Sequence, residues 1–325
     1  MLTKLIIGVD EAGYGPSMGP LTICATAWRV PHDMNADDIR AMLEPDIMPK
    51  PWSPSASHIP IGDSKKIYRE PHAKAGLELG ARFLVFALTR TDPVPWEAAF
   101  SQIAIHDWSR ICSVPWFAGM TKDTLRECDE DLGGRLRTAQ AKLQQCGIEL
   151  VGLQMRILDE PEFNRLVDQL GNKATLLSEA SLGLVREILL ALARTGESVE
   201  VYCDKHGGRN RYQALLSYSF DQAWFTTEIE GRTCSRYVAL WNDHTVQIQF
   251  QVEGDGIFPS SAASIMAKWT REYLMERLNE FWSLKVPGGI APTAGYYVDA
   301  VRFASQMDSQ AKSLKLDRDQ WWRKK

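Results

Sequence analysis

Three acidic sites stand out by their type and position. Asp10-Glu11, Asp204 and Asp255 each lie where an apolar run stops: Val9 precedes the first pair, Cys203 precedes the second, and Val252-Glu253-Gly254 precedes the third. In an open α/β sheet, ligand sites gather at the ends of strands, so carboxylates far apart in sequence can converge there. Gathered carboxylates repel one another and raise each other's pKa, which a hard divalent cation relieves. Mg²⁺ or Mn²⁺ suits carboxylate and water oxygens, and two such ions ~3.5–4 Å apart can clamp the attacking and leaving oxygens of a phosphodiester. Neighbouring Asp10 and Glu11 would point to opposite faces of a regular strand, so both reach one site only if the strand ends there, an ending that Ala12-Gly13 supplies. The structural alternative is that an acidic residue after a strand is a turn former or helix cap.

The elements that must position these residues follow from periodicity. Leu5–Val9 is a short buried strand, and Leu21–Val30 a second one entered through Gly19-Pro20. Residues 31–62 are rich in Pro, Asp and Ser, with one short helix over Ala36–Leu43, and Asp63 or Ser64 is placed to cap a following helix. Ala81–Leu88 reads as a third strand. The stretch 92–145, carrying Trp96, Phe100, Trp108, Trp116 and Phe117, interrupts the alternation and reads as an insertion or lid. Ile148–Ile157 is strand-like. Leu176–Ala193 is an amphipathic helix with Leu177, Ala180, Leu184, Ile188 and Leu192 on one face. Glu200–Cys203 is the strand that delivers Asp204, Tyr237–Val252 is a hairpin turning about Trp241–His244, and Ser260–Phe281 is helical and rich in small residues. Strands and helices mix through the length, which favours an α/β domain with a mixed sheet.

Bulk properties set limits. The chain has 325 residues, 45% hydrophobic and 24% charged, with a formal net charge of −4. That composition is globular, and the balance excludes a broadly basic surface, although a local stripe of Lys and Arg suffices for nucleic acid. The six cysteines are scattered singly without a C-x-x-C pair, so they are expected to be reduced thiols. The apolar run before Asp10 is too short for a signal sequence or membrane span, so a cytoplasmic chain without a membrane partner is expected. No obligatory protein partner is evident. Gly13-x-Gly15-x-x-x-Gly19 misses the dinucleotide spacing and follows two acids, no phosphate-binding G-x-x-x-x-G-K-[ST] loop occurs, and Gly254-Asp255-Gly256 lacks calcium-loop spacing. Trp321-Trp322-Arg323-Lys324-Lys325 suits either a grip on nucleic acid or a docked terminal helix with a solvated end.

Four blocks, in order, resemble type 2 ribonuclease H. Asp10-Glu11-Ala12-Gly13-Tyr14-Gly15-Pro16 with Gly19-Pro20 is similar to that family's DEAGRGP…GP opening. Asp63-Ser64-Lys65-Lys66 matches its DSKK segment, and Val201-Tyr202-Cys203-Asp204 its third-carboxylate strand. Gly254-Asp255 with Ser261–Lys268 and Arg271 follows GD…SAASI-x-AK-x-x-R. The resemblance implies a ribonuclease H-like mixed sheet flanked by helices; a catalytic domain is expected over 1–288, with an insertion about 92–145 that matches nothing in that family, and a helical extension over 289–325. It further implies a two-metal endonuclease, using Mg²⁺ or Mn²⁺, that cuts the RNA strand of RNA–DNA hybrids or ribonucleotides embedded in DNA and leaves a 5′-phosphate. On that reading Asp10, Glu11, Asp204 and Asp255 are the catalytic metal ligands. Gly13, Tyr14, Gly15, Lys65, Lys66, Arg209, Lys268 and Tyr296 are candidates for contacting the substrate, the lysines alternatively being solvated helix residues.

Two departures bear on substrate. The family's GRG arginine is Tyr14 here, which suits stacking on a sugar or base, or packing over the turn. Gly295-Tyr296-Tyr297-Val298 only partly matches a GYGT-like segment near the 2′-hydroxyl, the group that separates RNA from DNA. Beside Asp204, His206 suits proton transfer or simple pairing, and Arg209 and Arg211 suit phosphate. The alternatives are the same metal chemistry on another nucleic acid, and a catalytically silent nucleic-acid-binding homologue.

Overall fold

The computed structural model describes residues 2–69, 71–91, 96–118, 120, 130–252 and 254–324, and of residues 130, 131 and 255 the backbone alone. Strands β1 (Thr3–Ala12) and β2 (Leu21–Pro31) open the chain. Helix α1 (Asp38–Leu43), the two-residue strands β3 (Ile47–Met48) and β4 (Ile59–Pro60), α2 (Ser64–Ile67) and α3 (Ala73–Thr89) follow. Next come α4 (Trp96–Ile103), α5 (Trp108–Ser113), α6 (Glu130–Gln145) and β5 (Glu149–Leu158). Helices α7 (Glu160–Leu170) and α8 (Lys173–Leu192) lead to β6 (Ser198–Asp204), α9 (Gln213–Ser219) and β7 (Thr226–Glu230). Strands β8 (Cys234–Trp241) and β9 (His244–Gln251) and helices α10 (Phe258–Lys285) and α11 (Tyr297–Ser313) complete it.

The main sheet has seven strands in the order β5-β2-β1-β6-β9-β8-β7. Strand β1 is central, antiparallel to β2 and parallel to β6, and β6 is parallel to β9. The flanking pairs β2/β5, β9/β8 and β8/β7 are antiparallel, so the sheet is mixed. Because β1 is covered on both faces it carries no polar alternation: Leu5, Ile7 and Val9 join the core under α8, while Ile6 joins the core under α3 and α10. On the second face the backbones of strand and helix touch, since a Cβ on Gly8 would fall 2.1 Å from the Pro259 carbonyl carbon. Thr26 and Thr22 donate hydroxyls to the Pro259 and Ala267 carbonyls at 2.8 and 2.9 Å. This close approach accounts for the small residues Ser260–Ser264 of α10, which larger side chains would lift off the sheet.

The hairpin turn falls where it was expected, with Asn242 and Asp243 both at positive φ (49° and 64°), the pattern of a tight two-residue connection. Asp63 caps α2, accepting from the Lys65 amide at 2.9 Å. The expected strand at Ala81–Leu88 is instead the second half of α3. Its apolar residues continue backward through Leu77 and are buried almost all round, packed against α10 and β4, so the run shows neither strand alternation nor a polar helix face. The described aromatics of the 92–145 stretch are core rather than free surface. Trp96 lies against Trp269 at 3.8 Å between ring centroids, Phe100 stacks on Trp108 at 4.8 Å, and Trp116 sits 6.1 Å from Trp282. Buried Asp107 ties the same stretch to β5, accepting from Arg156 and from the Ile157 amide at 2.8 Å each. Among the described residues no helix is long and apolar enough to cross a membrane, and the described cysteines are free.

Candidate carboxylate site

The parallel pairing of β1 with β6 runs from Lys4↔Ser198 to Val9↔Cys203 and then stops, while β1 stays paired with β2 as far as Ala12↔Thr22. Strand β1 therefore does not end at Asp10 as the sequence suggested; it loses only its β6 neighbour there. Asp10 and Glu11 stand just past the last β1–β6 pair, beside Asp204, the last residue of β6. By strand alternation they lie on opposite sides of β1, Asp10 toward α10 and Glu11 toward α8. Gly254 packs flat on the end of β6, a Cβ there falling 3.1 Å from the Asp204 amide nitrogen and the Cys203 carbonyl oxygen. The backbone of the Gly254–Gly256 turn thus comes to the same strand end; the side chain of Asp255 lies outside the described residues.

Asp10, Glu11 and Asp204 are half-buried. Asp10 accepts from the Glu11 amide at 2.8 Å and Asp204 from the Lys205 amide at 2.9 Å. Loss of water, then the charges of Asp10 and Asp204, push the Glu11 carboxyl up to about 8, and Lys65 only partly opposes them. The donor set is carboxylate oxygen throughout, which fits a hard divalent cation in chemistry. Among the described residues, no three His, Cys, Asp or Glu side chains already stand together as a cation-holding group.

The four sequence blocks meet here. Ser264 in α10 donates to Ser64 at 2.9 Å, joining the fourth block to the second. Arg40, in the stretch read mainly as loop, spans the Ile61 carbonyl (3.0 Å), the Gly256 carbonyl (3.1 Å) and Ser261 Oγ (2.6 Å), so it pins the turn that carries Asp255. Of the expected cations, Lys65 projects its charge onto Glu11. Lys66 instead pairs with Asp63 at 3.3 Å, and Lys268 is engaged by Glu272 while lying 4.8 Å over the Tyr68 ring. Arg209 acts electrostatically on Tyr14, whereas Arg211 is almost fully exposed and 3.6 Å from Glu230.

In the glycine loop after β1, the packing of the protein itself requires glycine at position 13. Gly13 has φ +91°, and a Cβ there would sit 2.5 Å from Arg271 Nε and 2.7 Å from the Pro20 carbonyl oxygen. Exposed Tyr296 lies beside Gly15, its ring 3.7 Å from where a Cβ would be, so the partial tyrosine match is brought to the loop. Tyr14 lies 4.9 Å beneath the Lys173 ammonium, and its hydroxyl borders Gly207. Its phenol is raised by loss of water and by Glu11, against the pull of Arg209. Lys173 was not anticipated, because a lysine opening a helix carries no motif signal.

His206 is not poised for proton transfer. It is 2% exposed, its Nδ1 lies 3.0 Å from Ser178 Oγ, and its ring meets Tyr212 and Phe250 edge-on. Burial, with Arg209 adding repulsion, pulls the imidazole down to about 3, so it is neutral. The terminal aromatic-basic run divides: Arg323 is buried, and Trp322 faces Tyr297 at 6.2 Å.

The central mixed sheet, its helical flanks and its C-terminal helices define an α/β protein. No protein-family model matches the chain, and no curated protein matches it. Among solved structures it is similar to the Archaeoglobus fulgidus RNase HII determined with PCNA (14% identity, 98% of this chain and 93% of that one, TM-score 0.39). It is also similar to ribonuclease H2 from Pyrococcus horikoshii (16% identity, 98% and 92%, TM-score 0.40). A third likeness is to Bst-RNase HIII in complex with Mn²⁺ (13% identity, 98% of this chain and 66% of that one, TM-score 0.42).

Proposed function

We propose that this protein is a divalent-metal-dependent endonuclease acting on ribonucleotide-containing strands, either the RNA of an RNA–DNA hybrid or ribonucleotides embedded in DNA, in the manner of type 2 ribonuclease H. One observation carries the reading: Asp10-Glu11 stand just past the last β1–β6 pair, beside Asp204 at the end of β6, and the backbone of the Gly254-Asp255 turn is packed against that same end.

Asp10, Glu11, Asp204 and Asp255 would hold two Mg²⁺ or Mn²⁺ ions. Once bound, the ions would supply activation of the attacking water and neutralisation of the charge that builds on the phosphate. The chain's own residues do the rest. Lys65 lowers the cost of ionising Glu11, which must shed its proton to serve as a ligand. Gly15, without a Cβ, leaves the loop backbone open for a sugar to approach, with Tyr296 beside it. Lys173 and Arg209 place positive charge around Tyr14, where a strand's phosphates would pass.

The test uses 5′-labelled duplexes of matched sequence: an RNA–DNA hybrid, DNA with one ribonucleotide, and all-DNA, each with Mg²⁺ or Mn²⁺. Asp10→Asn and Asp255→Asn variants run alongside. Cleavage confined to ribonucleotide-containing strands and lost in both variants is the expected result. Cleavage of all-DNA would assign the same chemistry to another substrate, and no cleavage with either metal would overturn the proposal in favour of a silent homologue.

A further inference from the structure

The loop from Gly13 to Gly19 is held chiefly by residues distant in sequence. Ser17 and Met18 donate their amides to the Gly295 carbonyl at 2.8 and 3.2 Å, and the Gly19 amide donates to the buried carboxylate of Glu160 at 2.7 Å. The loop's carbonyls converge on one side chain. Arg323 donates through Nη1 to Gly13 O (2.6 Å) and Pro16 O (3.5 Å) and through Nη2 to Gly19 O. Its own amide donates to Ser17 O at 2.8 Å. The guanidinium is buried over the Phe163 ring at 4.9 Å, with the Glu160 charge beside it.

Helix α7 fixes the segment that carries Arg323. Asn164 donates to the Asp319 and Trp322 carbonyls at 3.2 and 2.9 Å and accepts from the Lys324 amide at 2.7 Å. Lys324 adds an ion pair to Asp168. Packing alone does not require a cation here, because an apolar side chain of similar volume fills such a space without the desolvation cost. What the guanidinium adds is a rigid planar fork that fixes several carbonyls relative to one another.

We infer that the segment Asp317–Lys324 sets the working conformation of the glycine loop, with Arg323 as the positioning residue between α7 and the backbone of Gly13, Pro16 and Gly19. Its bearing on catalysis rests on the proposed function, in which that loop meets the substrate sugar. Of the proposed metal ligands, Asp10 and Glu11 stand on β1, Asp204 on β6 and Asp255 in the Gly254–Gly256 turn, whereas the Arg323 side chain bonds to the loop after β1. Loss of Arg323 therefore separates substrate handling from metal binding, which a merely structural strut would not do.

The experiment compares the full-length protein with Arg323→Lys and Asn164→Ala. Asn164→Ala weakens the anchor of the segment on α7 while leaving the Arg323 side chain itself unchanged, so it decides the matter should Arg323→Lys fail to fold. Amide-resolved hydrogen–deuterium exchange is expected to quicken ~10-fold or more at Ser17, Met18 and Gly19 while Ile6–Val9 keep wild-type rates. With a single-ribonucleotide duplex, kcat is expected to fall roughly 10- to 100-fold, the cost of a misplaced contact, with the Mn²⁺-induced rise in melting temperature unchanged. Wild-type exchange at the loop in both variants overturns the inference, as does equal acceleration in β1 or parallel loss of the Mn²⁺ response. Should the wild-type protein cleave no duplex, the proposed function fails, and the exchange rates still decide whether Arg323 orders the loop.

Discussion

Glu11→Gln should make the metal-free protein more stable, and by an amount that grows with pH. In the folded chain Glu11 has lost water and faces Asp10 and Asp204, which moves its carboxyl from 4.5 to about 8. Between those values the folded state holds a proton that the unfolded state has released. The folded state is therefore favoured fully below 4.5, and this advantage is lost as pH rises toward about 8. Each pH unit in that window is worth about 1.4 kcal/mol, which sets a ceiling of about 5 kcal/mol for the whole span. Half-burial and sharing of the strain with Asp10 and Asp204 lower the expected difference between pH 5 and pH 8 to about 2–4 kcal/mol. Glutamine keeps the shape and cannot ionise, so the variant should lack this component of the slope. Urea unfolding in EDTA at pH 5 and pH 8 measures both proteins. Mn²⁺ at pH 8 should then stabilise the wild type far more than the variant, because the ion replaces the proton. Equal pH slopes, or a variant less stable than wild type at pH 8, would refute the argument that Glu11 is a strained carboxylate waiting for a cation.

Tyr14→Arg should lower the melting temperature and bring no gain in cleavage of a hybrid, since Lys173 and Arg209 already place positive charge there; a faster variant would contradict this. His206→Asn should cost about 1–3 kcal/mol through the lost Ser178 contact, while leaving the pH–rate profile from about 6 to 9 unchanged. Because its imidazole sits at about 3 when folded and 6.5 otherwise, stability is lost as pH falls through that window, and the variant should lose less in acid unfolding. Gly13→Ala should destabilise by roughly 2 kcal/mol or more in thermal unfolding, because φ is +91° and the new methyl meets the Pro20 carbonyl at 2.7 Å. A near-neutral result would mean that the loop can move away from Pro20 and Arg271.

Elements whose periodicity matched their surroundings were legible in the sequence. The β8–β9 hairpin, the Asp63 cap and α8 all announce themselves locally, through turn residues, a capping side chain or a one-sided apolar face. The misreading at Ala81–Leu88 has a physical cause: a helix buried on nearly every side shows no period, and β-branched and aromatic residues then suggest a strand. The carboxylate positions were legible because each ends an apolar run, yet the continuation of β1 to Ala12 was not, since it depends on pairing with β2. The partners that hold the site were hidden for a further reason. Arg40, Glu160 and Arg323 act on backbone carbonyls or amides, and backbone partners leave no pattern in the side-chain sequence.

Tyr14, where the resembled family carries an arginine, stands among cations contributed by other elements. Lys173 is the first residue of α8, where a positive charge opposes the helix dipole by about 0.3–1 kcal/mol. The helix itself gains nothing from a cation there, and its Asn172 cap already serves the free amides, accepting from Thr175 at 2.9 Å. The Lys173 ammonium instead lies 4.9 Å from the centre of the Tyr14 ring, close enough for a cation–π contact. The phenol hydroxyl meanwhile reaches Gly207, in the loop that carries Arg209. A tyrosine in this position connects two cationic residues that come from different elements, one on α8 and one after β6. The positive charge absent from the Gly13–Gly15 loop is therefore present immediately beside it. The folded chain thus gathers cations from two other elements around the backbone that carries Gly13 and Gly15.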